Sequence, residues 1–362
     1  MKLSNALSRA GITITLAVLA FMVIVHDSTF QPAPRQGEGF VSPLSAPRLK
    51  PGQKIKILSW NIQYMAGKNR VFFYDVPDGN GPDERPSSKE IKTTRGEIKR
   101  IIDAENPDII LIQEIDEGSK RTDYENQLAL LLGMLPKEYS SYSSAFYHKA
   151  AFLPHPRIRG SVGLKLAVIS KYRITGAVRH QLPVIPDNLL VKQFNFKRCV
   201  LEVRMPVEGR KDLAVFDTHL DAFAQGSDTM KRQVEFVMDI LDRTTKAGHD
   251  WVIGGDFNLL PPGKAYERLP ESHRVYFNEK TELAPLIIKY RSVPGLAELN
   301  GPDYRKWFTH YPNDPSIQGP DRTIDYLFFS DAMELRGHYV RQADTLKISD
   351  HLPLVAEIII PL

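Results

Sequence analysis

The stretch WVIGGDFN, Trp251–Asn258, reads as a strand that ends in chemistry. A short apolar run leads into Gly254 and Gly255, where a neighbouring backbone comes close. Asp256 and Asn258 follow, an acid and an amide two residues apart on one face of an extended chain. Other apolar runs carry the same punctuation. ILSWN closes on Asn61, IILIQE on Glu114, and LAVFDTHLD on Asp217 and His219. RTIDYLFF contains Asp325 at the head of its run, and ISDHLPLV sets Asp350 and His351 before the last one. Each has an ordinary reading taken alone: a cap, a turn, or a histidine satisfied in the core. Six such features, all at the ends of apolar runs, point to one site.

The runs themselves decide the fold class. Ile55–Trp60, Ile109–Ile112, Leu164–Ile169, Val200–Met205, Leu213–Phe216, Trp251–Ile253, Tyr326–Phe329 and Val355–Ile360 have strand length and are nearly continuous, as covered strands are. Helical spacing appears in Thr93–Glu105, closed by Pro107, in the leucine-rich Asn126–Leu135, and in Thr229–Lys246, which ends near Gly248. Strands and helices mix without strict alternation, which favours an α+β layered sandwich over a doubly wound sheet. One domain is expected from about Lys54 to Leu362. Ala66–Glu90, Ser144–Val162 and Pro261–Arg322 read as long loops, and long loops in a compact domain are often functional. The second of these, rich in basic and aromatic residues, is a candidate substrate contact or a plain solvated cover.

Composition limits the alternatives. The chain has 362 residues, 42% hydrophobic and 25% charged, which suits a globular protein and excludes a disordered one. A single cysteine, Cys199, rules out a disulfide framework, a zinc finger and a CxxC redox site within the chain. The formal charge of +4 belongs mostly to the first fifty residues: beyond residue 50 there are 42 Lys/Arg against 41 Asp/Glu. A nearly neutral domain argues against a general nucleic-acid binder, whose affinity rests on neutralising phosphates.

The N-terminus has its own logic. Lys2 and Arg9 precede the uncharged run Gly11–Val25. At ~1.5 Å per residue that run falls short of a ~30 Å hydrocarbon core, and it spans one only when counted from Leu7 with Arg9 snorkelling. The sequence after it offers no small-x-small cleavage pattern and no lipoprotein cysteine. An uncleaved signal-anchor over residues 1–25 is the leading reading and a cleaved signal peptide the competing one. The charge asymmetry places the rest of the chain outside the cytoplasm, anchored in the inner or plasma membrane or else exported. Residues 26–53 hold five prolines and read as an extended linker.

The candidate site offers carboxylates, amides and histidines. Oxygen-rich donor sets suit hard cations such as Mg²⁺, with Mn²⁺ as a substitute. With histidine and aspartate for proton transfers, the implied reaction is metal-assisted attack of water on a phosphoester. The ordered set WNIQ, IQE, THL, GGDFN, IDYLFFS and SDH resembles the endonuclease/exonuclease/phosphatase superfamily, which includes DNase I, exonuclease III-like nucleases, neutral sphingomyelinases and inositol-polyphosphate 5-phosphatases. The resemblance runs from Lys54 to Pro361 and implies a DNase I-like four-layer α/β/β/α sandwich. It also implies roles. Glu114 is the principal metal ligand and Asp350 the second acid on the metal side. Asn61 helps to hold metal or phosphate. Asp256 and Asn258 orient the attacking water and the phosphate. His351 binds the scissile phosphate or acts as base, and Asp325 orients and charges it. His219 is a candidate acid for the leaving group. Arg198 is a phosphate contact or a structural salt bridge.

Gln63 stands where repair nucleases of the exonuclease III type carry Asp or Asn, and Thr218-His219 replaces their central tyrosine motif. Both departures lead away from DNA repair. The expectation is a phosphodiesterase acting on a phospholipid or lipid-linked headgroup at a membrane surface. An extracellular or periplasmic DNase I-like endonuclease is the alternative. A non-catalytic binding module of the same fold would show eroded site positions, and the main positions are intact.

Overall fold

The computed structural model describes residues 2–68, 70–222, 224 and 226–362, with side chains from residue 11 onward. Its strands are β1 (Arg35–Gly37), β2 (Phe40–Val41), β3 (Lys54–Asn61), β4 (Ile109–Asp116), β5 (Ser141–Leu153), β6 (Gly160–Ser170), β7 (Gly176–Gln181), β8 (Cys199–Met205), β9 (Leu213–His219), β10 (Trp251–Asp256), β11 (Arg291–Val293), β12 (Asp325–Phe329), β13 (Glu334–Val340) and β14 (Leu354–Ile359). The principal helices are α1 (Lys2–Ser28), α2 (Ser88–Glu105), α3 (Gln127–Leu132), α4 (Leu189–Phe194) and α5 (Thr229–Lys246).

The strands form two mixed sheets of seven. One has the order β13-β14-β3-β4-β6-β5-β2, the other β1-β7-β8-β9-β10-β12-β11. Side-chain alternation builds the layers. In β3, Ile55 and Ile57 point between the sheets while Leu58 and Trp60 point outward. Outside the first sheet, Ile98, Ile101 and Ile102 of α2 and Leu128 and Leu131 of α3 complete one core. Outside the second, Val234, Val237, Ile240 and Leu241 of α5 pack on Phe216, Trp251, Ile253 and Phe328. The result is the expected helix–sheet–sheet–helix sandwich, preceded by an apolar helix.

The two glycines of β10 are sterically required. A Cβ on Gly254 would lie 2.5 Å from Leu327 and 2.7 Å from Leu111, so the sheets touch at that point. Gly255 has φ +144°, and a Cβ there would fall 1.9 Å from the Thr218 carbonyl oxygen.

Four expectations change. Pro261–Arg322, expected as a loop, carries β11 and short helices at Ala265–Arg268, Ala284–Lys289 and Leu296–Asn300. Helix α2 begins at Ser88 rather than Thr93, because Ser87 and Glu90 close a reciprocal capping box; its far end is the left-handed Asn106. The loop expected over Ser144–Val162 is mostly a hairpin of β5 and β6. The inward positions of β5 include Ser141, Ser143 and Ala145, small residues that hide the alternation. The segment 26–53 is not a free tether. β1 pairs with β7, β2 pairs with β5, and Leu49 is fully buried between the sheets. Prolines exclude a helix there, but an edge strand bonds on one side only and tolerates them.

Candidate active site

Pairing register brings the singled-out residues together. In the second sheet, His219, Asp256 and Asp325 are direct neighbours across β9, β10 and β12: β10 runs parallel to β9 with Asp256 opposite His219, and antiparallel to β12 with Asp256 opposite Asp325. In the first sheet, Asn61 ends β3 beside Gln113 of β4, and His351 lies just before β14, which pairs with β3. The Trp60 indole donates to the His351 carbonyl at 2.9 Å, and Ser349 Oγ donates to the Asn61 carbonyl at 2.8 Å. The last turn before β14 is thereby fastened to the end of β3.

Glu114 is not at the end of its strand. β4 runs on to Asp116, and the register with β6 shifts between Ile112 and Ile115. Glu114 has φ +59° within this bulge. An irregularity of this kind re-aims one side chain without ending the strand. Asn258 is also left-handed, φ +52°, and its backbone N–H donates to Asp256 Oδ1 at 2.9 Å.

The two sets meet across the seam between the sheets. Asn61 Nδ2 lies 3.2 Å from Glu114 Oε1 and 3.1 Å from Asp256 Oδ2. His219 Nε2 is 3.2 Å from the same Asp256 oxygen. His351 Nδ1 contacts Asp325 at 2.9 Å, and its Nε2 is 3.5 Å from Asp256 Oδ2. Burial pushes the His351 imidazolium toward losing its proton, but Asp325 and Asp256 outweigh it and hold the pKa up at about 10. Burial raises Asp256 to about 7, against the pull of His351. Burial, with Arg198 and His351 beside it, keeps His219 neutral. A neutral ring suits holding Asp256 better than protonating a leaving group.

The acids expected to hold metal are strained as they stand. Burial raises Glu114, and the Asp350 charge adds to this; burial also raises Asp350, opposed by His351 and Lys68. Asp75, in the loop before α2, is raised to about 8 by burial and by Asp350. Half-buried carboxylates that repel one another, beside an asparagine amide, fit a hard divalent cation. Cys199, the soft ligand, is buried in the core between the sheets. Asp350 groups with His310 and His351, and Asp256 groups with Asp325 and His351, each set with ligand atoms within 4.8 Å of one another. Glu114 belongs to neither set.

Of the two readings given to Arg198, the structural contact is present. Its Nε is 3.4 Å from Asp221, and its guanidinium lies over the rings of Tyr147 and Phe196. Its Nη1 has no hydrogen-bond partner among the described residues, and the residue lines a cavity together with Glu114, Asp256 and His351.

Sequence reasoning missed His310, whose half-buried ring meets that of His351 at 4.5 Å, and Asp75 and Lys68. All three lie in loops without periodic pattern. A lone histidine in an irregular loop carries no signal of its own. Asp217 is not in the site: it is fully buried between the sheets and accepts a 2.6 Å hydrogen bond from Gln113.

Comparison with known proteins follows the same lines. The family model described as endonuclease/exonuclease/phosphatase family matches residues 58–351. No curated protein sequence matches the chain. Among solved structures, an endonuclease/exonuclease/phosphatase from Beutenbergia cavernae superposes with a TM-score of 0.55 at 24% identity, covering 85% of this chain and 72% of that one. ANGEL2, a 2',3'-cyclic phosphatase solved with adenosine-2',3'-vanadate, gives 0.53 at 14% identity over 90% and 99% of the two chains. The human Nocturnin catalytic domain gives 0.50 at 18% identity over 89% and 97%. These likenesses are of fold. The matched motifs, spread over four fifths of the sequence, carry the assignment: the chain belongs to the endonuclease/exonuclease/phosphatase family of metal-dependent phosphoester hydrolases.

Proposed function

We propose that the enzyme is a Mg²⁺-dependent phosphodiesterase acting on a phospholipid or lipid-linked headgroup at a membrane surface, with its catalytic domain outside the cytoplasm. One observation carries this reading. The seam of polar residues opens into a cavity of about 640 Å³ whose lining also includes the apolar Phe73, Leu153, Ile158, Ile185, Val191 and Phe194. A phosphodiester with a large apolar substituent matches both parts of that lining. A nucleic acid calls for a basic, extended groove instead. The apolar stretch Gly11–Ser28, with only 6% of that window buried, supports a membrane location.

Glu114 and Asp350, with Asn61 beside them, would hold the cation. When bound, such a cation would supply positive charge to the phosphoryl group. His351, kept protonated by Asp325, donates from Nε2 to the scissile phosphate. Asp256, with a pKa near 7, takes a proton from the attacking water, and Asn258 shares in orienting that water. Arg198 offers its Nη1 N–H to a phosphate oxygen.

Purified protein is offered phospholipid vesicles and plasmid DNA, each with Mg²⁺. Release of a lipid headgroup supports the proposal. DNA cleavage without lipid cleavage overturns it and assigns the site to a nuclease.

A further inference from the structure

The N-terminal helix leaves the domain at a particular place. α1 ends at Ser28, and the chain joins the sandwich at once: Thr29 bridges to Ala150, and the Phe30 amide donates to the Lys149 carbonyl at 3.1 Å. The Phe30 ring packs edge-on against Phe146, and the Gln31 side-chain amide donates to Gln193 at 2.6 Å. The exit point is therefore pinned between the end of β5 and helix α4. These two segments also contribute apolar residues to the cavity lining, and His148 Nε2 ties them together at the Phe194 carbonyl, 3.1 Å away.

The outer side of the same rim is apolar and uncovered. Phe152 is 53% exposed, Leu189 75% and Leu190 41%. None of the three lines the cavity, but Leu153 and Val191, their chain neighbours, do. Single exposed leucines are ordinary, whereas a run of them on a cavity rim is a recognition surface. Basic residues flank it in the chain, Lys149 on β5 and Lys192 on α4; residues 149–163 hold no acid, although Arg157 is already paired with Asp83 at 2.6 Å and Asp187 stands just before α4. Cationic side chains around an apolar patch match anionic headgroups over acyl chains. The patch is also continuous with α1, whose Ile12, Leu16, Leu19 and Val23 are all more than half exposed.

We infer that Phe152, Leu189 and Leu190, with Lys149 and Lys192, dock on the bilayer that holds α1, so that the cavity mouth faces the membrane. A lipid then passes from the leaflet along the Leu153–Val191 wall to the seam without crossing water. This rests on the membrane-surface reading given above. It adds the orientation and the residues that set it.

The test uses the full chain reconstituted into phosphatidylcholine–phosphatidylglycerol vesicles. A Leu190→Cys variant is labelled with an environment-sensitive dye; Cys199 is fully buried and stays unlabelled. Blue-shifted emission quenched by brominated lipid is expected, and unshifted, unquenched emission overturns the inference whatever the enzyme hydrolyses. A Phe152→Ser/Leu189→Ser/Leu190→Ser variant is expected to lose about tenfold of its turnover on vesicle phospholipid. Its hydrolysis of soluble bis(p-nitrophenyl) phosphate stays at the parent level. Equal loss on both substrates, or none on either, counts against docking. Dye quenching in an enzyme that hydrolyses no phospholipid retains the docking surface and overturns the lipid substrate, so the two readings fail separately.

Discussion

Asn61 and Asp256 are 195 residues apart in sequence and meet at 3.1 Å, amide to carboxylate, across the seam between the two sheets. Each ends a central strand of its own sheet. Sheet-on-sheet packing thus sets the site directly, because any slide of one sheet over the other changes this distance. The contact of Gly254 with Leu111 and Leu327 lies two residues from Asp256 and fixes the slide. A Gly254 side chain would disturb packing and catalysis together.

The repulsion among Glu114, Asp350 and Asp75 predicts a stabilising effect of metal. Binding to the folded state at a hundred times Kd contributes about 2.7 kcal/mol, which for a domain of this size raises Tm by about 5 °C. Differential scanning fluorimetry with Mn²⁺ or Mg²⁺ against EDTA checks this. In Glu114→Gln the parent's rise should shrink to near zero while the EDTA Tm stays level or increases, because a half-buried carboxylate held above its ordinary pKa has been removed. An undiminished metal-dependent rise in Glu114→Gln would remove Glu114 from the metal site.

His351 and Asp325 should behave as one unit. Asp325 is 2% exposed and touches the imidazole at 2.9 Å from behind. Asp325→Asn and His351→Ala are each expected to lower kcat by about a hundredfold or more. The double variant should be no slower than His351→Ala, because Asp325 acts only through the ring. A multiplicative loss in the double variant would give Asp325 a separate contact with substrate. Single-turnover kinetics on one phosphodiester settles the comparison.

Much of this geometry was legible in the sequence because the site sits at strand ends. Apolar runs announce β3, β9, β10 and β12, and the residues that interrupt them, Asn61, His219, Asp256 and Asp325, are those that the register aligns. Glu114 was visible but its mechanism was not: a bulge inside β4 has no composition signal. β5 was lost because Ser141, Ser143 and Ala145 bury little apolar surface. β1 and β2 were lost because edge pairing is a tertiary event, invisible in a proline-rich segment. His310 and Asp75 reach the site through loops, where position depends on contacts rather than on local pattern.

The neutral state of His219 gives a leaving-group test. A neutral ring holding Asp256 at 3.2 Å contributes equally whatever alcohol departs. His219→Ala should therefore lower kcat by a similar factor, roughly tenfold to a hundredfold, on p-nitrophenyl and alkyl phosphodiesters. A loss confined to alkyl esters, whose leaving groups need a proton, would restore the role of acid.

Asp217 carries the last prediction, on stability. It is fully buried between the sheets, accepts the Gln113 amide at 2.6 Å, and its Oδ2 has no partner among the described residues. Burial raises its pKa well above the ordinary carboxylate value, and the Gln113 bond only partly opposes this. The folded state therefore holds a proton that the unfolded state releases near pH 4. The contribution of Asp217 is fully present below that pH and falls as pH rises toward the folded-state pKa, by up to about 1.4 kcal/mol per pH unit. Asparagine keeps the oxygen facing Gln113 and cannot ionise. Asp217→Asn should match the parent in urea unfolding at pH 4 and exceed it increasingly toward pH 8. Parallel curves for the two proteins across that range would mean that Asp217 is ionised in the folded core.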